Sequence, residues 1–168
     1  MEIKKLKYKD LATRVNWMNN PKVNKNMHFQ VPVTIENTLR WFENIQNNVN
    51  RLDFAFWENQ ELVAMGGLTG LDGDTLKAEL YIFVNPTIQL KGIGTQATRL
   101  LCDYGFSNMG LNKIFLITNE DNIAAQKVYE KCGFVKEGQL RNEYKTSEGI
   151  FMDRIYYGLL KSEWNANN

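Results

Sequence analysis

From Leu76 to Val84 every even position is apolar (Leu76, Ala78, Leu80, Ile82 and Val84), while Lys77, Glu79, Tyr81 and Phe83 take the odd positions. A period of two is that of a β-strand, so one face is expected to join a core and the other is free to carry chemistry. Other segments follow either this period or the helical one. Ile3 and Leu6 open a short strand, and Leu11, Val15 and Met18, spaced by four and three, predict a helix over Asp10 to Asn19 that Pro21 closes. Thr34 is a natural N-cap for a second helix carrying Ile35, Leu39, Phe42 and Ile45. Phe54 to Trp57 and Leu62 to Met65 flank the polar Glu58-Asn59-Gln60-Glu61 as a hairpin, and the glycines and aspartates of Gly66 to Asp74 read as a loop between strands. Beyond Pro86, Gly92 and Gly94 precede a helix marked by Ala97, Leu100, Leu101 and Tyr104. Lys113 to Thr118 is then a strand, and Ile123 to Cys132 a helix ended by Gly133. Phe134 to Leu140 and Ile150 to Leu160 are two more strands. The order β-αα-βββ-α-β-α-ββ predicts a mixed α/β fold, a mixed sheet with helices on both faces.

Composition narrows the classes. With 168 residues the chain has the length of one domain, taken as 1–168, with no internal repeat and no linker. Hydrophobic residues are 43% and charged residues 23%, values of a globular protein. Twenty Lys plus Arg against nineteen Asp plus Glu leave a net charge of +1, which offers no general attraction to nucleic acid or to an anionic membrane. One histidine and two cysteines, Cys102 and Cys132, without a CxxC motif exclude a zinc site and a disulfide framework, so no metal is expected. The polar start and the absence of a long apolar run place the chain in the cytoplasm as an expectation.

The candidate chemistry lies where the helix after Gly94 begins. A helix N-terminus offers unpaired N–H groups and a positive dipole end, and the glycines allow a diphosphate to approach the backbone. Neither a Walker A loop nor a three-glycine dinucleotide fingerprint is present. The segment Gln89-Leu90-Lys91-Gly92-Ile93-Gly94 instead resembles the Q/R-x-x-G-x-G/A signature of the GCN5-related N-acetyltransferases (GNAT). Asn122 to Phe134 resembles that superfamily's N-x-x-A-x-x-x-Y-E-K-x-G-F segment. The two together span about Leu76 to Phe134, and the element order is similar to that of the family.

The resemblance implies a GNAT-like fold. Its central sheet has six to seven strands, and the parallel strands Leu76 to Val84 and Lys113 to Thr118 splay apart to form an acetyl-CoA cleft. Backbone amides of Gln89, Leu90, Lys91, Gly92, Ile93, Gly94 and Thr95 would hold the pyrophosphate. Ile82, Phe83 and Val84 would pair with the pantetheine arm, and Asn122 would reach the pantetheine or phosphate end. Acetyl-CoA would be a cosubstrate that a bound amine attacks directly, in a ternary complex. Tyr129 stands at the family position of the acid that protonates the leaving thiolate; the bland alternative is a packed tyrosine bonded to the backbone. Glu79, on the odd face of its strand, is the candidate base for the incoming ammonium, and a solvated strand glutamate is the alternative. A backbone N–H near Ile82 would meet the oxyanion.

Other conspicuous residues have structural readings. His28 is expected at the surface or in packing, Cys132 in the core, and Trp41 packed on its helix, while Trp17, Trp41 and Trp57 remain possible walls of an acceptor pocket. In the N-terminal third, Trp17 to Val23 and Thr34 to Glu43 resemble the branch holding ribosomal-protein-alanine, spermidine and nucleotide-linked amino-sugar acetyltransferases. A small-molecule amine such as an amino sugar is the first expectation for the acceptor, although Met18 and Thr38 replace the arginine and histidine of the amino-sugar pattern. A protein N-terminus comes second and a polyamine third, because a polycation wants clustered carboxylates. A non-catalytic acyl-CoA sensor is the alternative of another class, and a homodimer is possible by analogy.

Overall fold

The structure is a computed structural model that describes residues 1–88, 91–146 and 148–166. Seven strands form one mixed sheet in the order β1-β2-β3-β4-β5-β7-β6. Their ranges are β1 Glu2–Lys5, β2 Arg51–Glu58, β3 Glu61–Asp72, β4 Lys77–Val84, β5 Lys113–Asn119, β6 Val135–Lys145 and β7 Phe151–Leu160. The helices are α1 Leu11–Met18, α2 Pro21–Met27, α3 Ile35–Ile45, α4 Ile93–Asp103, α5 Ile123–Lys131 and α6 Lys161–Ala166. The expected mixed sheet with helices on both faces is therefore present. Among the described residues no helix is long and apolar enough to cross a membrane, and no group of His, Cys, Asp or Glu could hold a metal ion.

Each face of the sheet has its own core. Ala78 and Leu80 of β4 pack with Phe54, Leu68, Ala97, Leu101, Ile114 and Leu116 beneath α4 and α5. Phe83, from the odd positions, packs with Leu11, Trp17, Phe42, Ala55 and Met65 beneath α1 to α3. The odd face of β4 is thus largely a second core rather than a free surface, because helices cover it; Lys77 is exposed at its start, and Glu79 and Tyr81 lie half-buried at its margin.

Two local expectations fail for identifiable reasons. Pro21 does not close α1 into a loop but occupies the first turn of α2. Asn20 caps that helix, its Oδ1 accepting from the Lys22 N–H at 3.0 Å. Three helices therefore follow β1. Gly66 and Gly67 lie inside β3, opposite Ile82 and Tyr81 of β4, so the loop read over Gly66 to Asp74 is strand as far as Asp72. Here glycine marks close approach: a Cβ at Gly67 would lie 2.2 Å from the Leu52 carbonyl oxygen and 2.9 Å from the Tyr81 ring.

One feature of the pairing shapes the site. β4 and β5 run parallel, as a strand–helix–strand crossover requires, yet they pair only where Lys77 to Glu79 meet Lys113 to Phe115. Beyond that, β4 stays paired with β3 up to Val84, and β5 with β7 up to Asn119. The strands diverge after Glu79, and the edge of β4 from Leu80 to Val84 has no strand partner toward β5.

Candidate active site

The gap between the diverging strands is a cleft of about 500 Å³, lined by Glu79 to Pro86 of β4 and the loop after it, Ile117 and Thr118 of β5, Asn122, Ala125 and Tyr129 of α5, and residues of α2. Ile82, Phe83, Val84, Asn122 and Tyr129 are thereby brought together. The open edge of β4 keeps backbone donors and acceptors that an extended ligand arm can take up as an added strand. At the cleft's end, Gly92 caps α4 with φ of +86°, a left-handed conformation that favours glycine. A Cβ at Gly94 would sit 3.7 Å from Val128 and 3.9 Å from Val84, in the opening between β4 and α5. Ile93 is buried, Lys91 is exposed and Thr95 is half-buried. Gln89 and Leu90 lie outside the described residues.

Asn122 caps α5, its Oδ1 accepting from the Ala125 N–H at 3.3 Å while Nδ2 donates to Thr118 Oγ1 at 3.4 Å. The cap leaves its side chain committed to the helix end, at the wall of the cleft. Tyr129 is 8% exposed and packs edge-on against Phe134, with ring centroids 5.9 Å apart. Burial pushes its phenol up to about 12. None of the hydrogen bonds among the described residues is made by its hydroxyl.

On the other side of β4 a second cavity, of about 470 Å³, is lined by Arg14, Met18, Met27, Phe29, Trp41, Arg51, Glu79 and Tyr81, with neutral polar groups between them. Met27, Glu79 and Tyr81 belong to both cavities, so the two meet at Glu79. Glu79 is half-buried; desolvation raises its pKa above the ordinary carboxylate value, while the Arg154 charge pulls it back down. Asp53 accepts from Arg51 Nε and Nη2, both at 2.8 Å, and from the Tyr81 hydroxyl. Burial raises Tyr81 as well, to about 12, so that ring is a fixed neutral donor.

The remaining candidates separate clearly. His28 stacks on Tyr144 at 3.6 Å and its Nε2 lies 2.8 Å from Asn119 Oδ1, apart from both cavities, in keeping with packing. Cys132 is 4% exposed, with its Sγ donating to the Thr95 carbonyl at 3.6 Å, a core position. Trp41 lines the second cavity, Trp17 packs behind it on Phe83, and Trp57 lies elsewhere under Lys9 and Lys4. Sequence reasoning passed over Arg14, Tyr81 and Arg154. Arg14 was legible as a polar residue on an apolar helix stripe, one turn before Met18, whereas nothing local marked Arg154.

A model of the acetyltransferase (GNAT) domain matches residues 1–135. The chain belongs to the GNAT acetyltransferase family. A putative ribosomal N-acetyltransferase of Bacillus subtilis (strain 168) is 32% identical over 119 residues, 71% of this chain and 64% of that protein. A spermidine N(1)-acetyltransferase of Escherichia coli (strain K12) is 41% identical over 68 residues, 40% of this chain and 37% of the relative. These alignments thus span less than two thirds of either relative's length. A solved GNAT structure, spermidine N-acetyltransferase from Vibrio cholerae in complex with CoA and spermine, has a TM-score of 0.92 at 24% identity. It covers 98% of this chain and 97% of that one, which shows a shared fold.

Proposed function

We propose that the protein is an N-acetyltransferase that moves the acetyl group of acetyl-CoA to a primary amine of a small molecule. The observation that carries this reading is the meeting of two cavities at Glu79 across the parted strands, with Tyr129 in the wall of the first. The cleft fits the cosubstrate, since it offers an unpaired strand edge for the pantetheine arm and a glycine-capped helix N-terminus for the pyrophosphate. Acetyl-CoA supplies a reactive thioester, and positioning an amine beside it accounts for much of the acceleration.

The side chains then handle two protons. An aliphatic amine arrives as an ammonium ion with a pKa of about 10, and Glu79 accepts its proton directly or through water. Tyr129 faces the departing thiolate. A phenol at about 12 is a weaker acid than a thiol at about 8.5, so complete transfer would run uphill by about 5 kcal/mol. The same desolvation raises the thiol and narrows that gap. Tyr129 therefore acts as a hydrogen-bond donor that stabilises charge developing on sulfur and yields its proton late. A backbone N–H on β4 near Ile82 would meet the carbonyl oxygen as charge develops on it.

For the acceptor, the names of the relatives support spermidine over the amino sugar expected first. Glu79 is, however, the one carboxylate among the described residues lining the acceptor cavity. Free-thiol release from acetyl-CoA against spermidine, amino sugars, amino acids and Ala- or Ser-initiated peptides tests the reading. Amine-dependent release that Glu79→Gln and Tyr129→Phe both depress supports it. Cofactor binding with no release under any amine would favour an acyl-CoA sensor instead.

A further inference from the structure

The acceptor cavity contains a charge that the proposed reaction does not use. Arg14 of α1 lines it and is 5% exposed, its guanidinium held 4.6 Å from the Trp41 ring centroid, 5.2 Å from Phe83 and 5.8 Å from Tyr81. Three aromatic faces attract a cation and fix its plane, but they offer no lone pairs to its five N–H donors. Nη1 is sealed from solvent without a hydrogen-bond partner, and no ion pair among the described residues involves Arg14. The neighbouring carboxylates are spoken for. Asp53 is bonded to Arg51 through both oxygens and also takes the Tyr81 hydroxyl, and Glu79 lies in the field of Arg154.

A buried guanidinium is ordinarily paired, because its desolvation is costly without a counter-charge. Arg14 is instead preorganised and unpaired in the wall of a cavity that also holds Glu79. We propose that Arg14 receives an anionic group of the acceptor, so that the preferred substrate is a primary amine that also bears a carboxylate or a phosphate. This rests on the acetyltransferase reading above and narrows its acceptor class. The rigid planar fork of a guanidinium matches both anions. With the anion on Arg14, the amine of the same molecule extends toward Glu79 and the thioester. A polycation such as spermidine meets the opposite condition: Arg51 is neutralised by Asp53, Arg14 remains an uncompensated positive charge in the wall, and Glu79, which Arg154 already faces, is the one lining carboxylate among the described residues.

Matched acceptors test this: glycine against glycine methyl ester for the carboxylate, glucosamine 6-phosphate against glucosamine for the phosphate, and spermidine as the polycation. The wild-type protein is expected to favour at least one anionic member over its partner by tenfold or more in kcat/KM, and the pair that separates identifies the anion. Arg14→Gln should collapse that ratio toward one, chiefly through KM, and Arg14→Lys should restore part of it. Arg14→Met should hold or raise Tm, because an unpaired buried charge is lost; a purely packing role for Arg14 would lower it. Equal use of the matched partners, spermidine as the best acceptor, or a ratio unmoved by Arg14→Gln would overturn the inference and leave the acetyltransferase standing. Absence of both thiol release and CoA binding would overturn the activity itself. If CoA binds without turnover, titrating glucosamine 6-phosphate and glycine, each against its neutral partner, into the CoA-loaded protein reads the same preference.

Discussion

Glu79 and Tyr129 have environments that push both pKa values up, with opposite consequences. For Tyr129 the shift to about 12 keeps the hydroxyl protonated throughout the working range, so the rate should show no falling limb from this residue below about pH 11. Tyr129→Phe keeps the ring against Phe134 and should lower kcat by roughly a hundredfold or more while CoA affinity changes little, as calorimetry would check. Equal losses in affinity and kcat would instead assign Tyr129 to packing. For Glu79 the folded-state pKa lies above the unfolded one, so its carboxyl supports the fold below the unfolded pKa and loses that contribution as pH rises through the folded value. Glu79→Gln should consequently raise Tm at pH 7 while removing the acid limb of the rate profile. An unchanged acid limb would move the base elsewhere. In the sequence, Glu79 stands out through the alternation along β4, whereas Tyr129 is marked as a candidate only by the resemblance of the segment around it. Arg14 shows in the sequence only as a polar residue on an apolar helix stripe, and its meaning depends on Trp41, Tyr81 and Phe83, which arrive from distant elements.

Regular periods and caps told most at the scale of the element. Thr34 does cap α3, its Oγ1 accepting from the Asn37 N–H at 3.2 Å, and the even positions Ala78 and Leu80 of β4 are buried as alternation requires. The two misreadings share a cause: the same residue types serve two purposes. Asn20-Pro21 reads as a stop or as a cap with proline in the first turn, and tertiary placement decides. Gly66-Gly67 reads as a turn or as a place where strands crowd, and only the neighbours Leu52 and Tyr81 decide. The cap has a consequence for the site, since α2 contributes Lys22, Val23, Asn26 and Met27 to the cofactor cleft. Asn20→Ala should cost about 1 kcal/mol in urea unfolding and speed hydrogen exchange of the α2 amides, with a raised KM for acetyl-CoA. Faster exchange without a change in KM would separate α2 from donor binding.

Across the whole molecule, the fold reconciles two cores with one gap. The cores on either face hold β4 firmly on the β3 side, and β7 holds β5, so the sheet stays coherent although its two central strands pair at only three positions. The gap itself was foreseen from the resemblance and not from periodicity, because hydrophobic alternation along β4 is the same whether its outer edge meets a strand or a ligand. A ligand that completes the sheet should therefore stabilise the fold where the sheet is incomplete. At a hundredfold excess over Kd, binding to the native state alone contributes about 2.7 kcal/mol. In a domain of this size that corresponds to roughly 5–10 °C in Tm. The location of the gain is the sharper test. Hydrogen exchange with and without CoA should show new protection on the Leu80 to Val84 edge of β4 and at the N-terminus of α4, with little change along β1 and β2. A rise in Tm accompanied by protection spread evenly over the sheet would mean that CoA binds without joining the edge of β4, and the strand-completing role of the cofactor would fall.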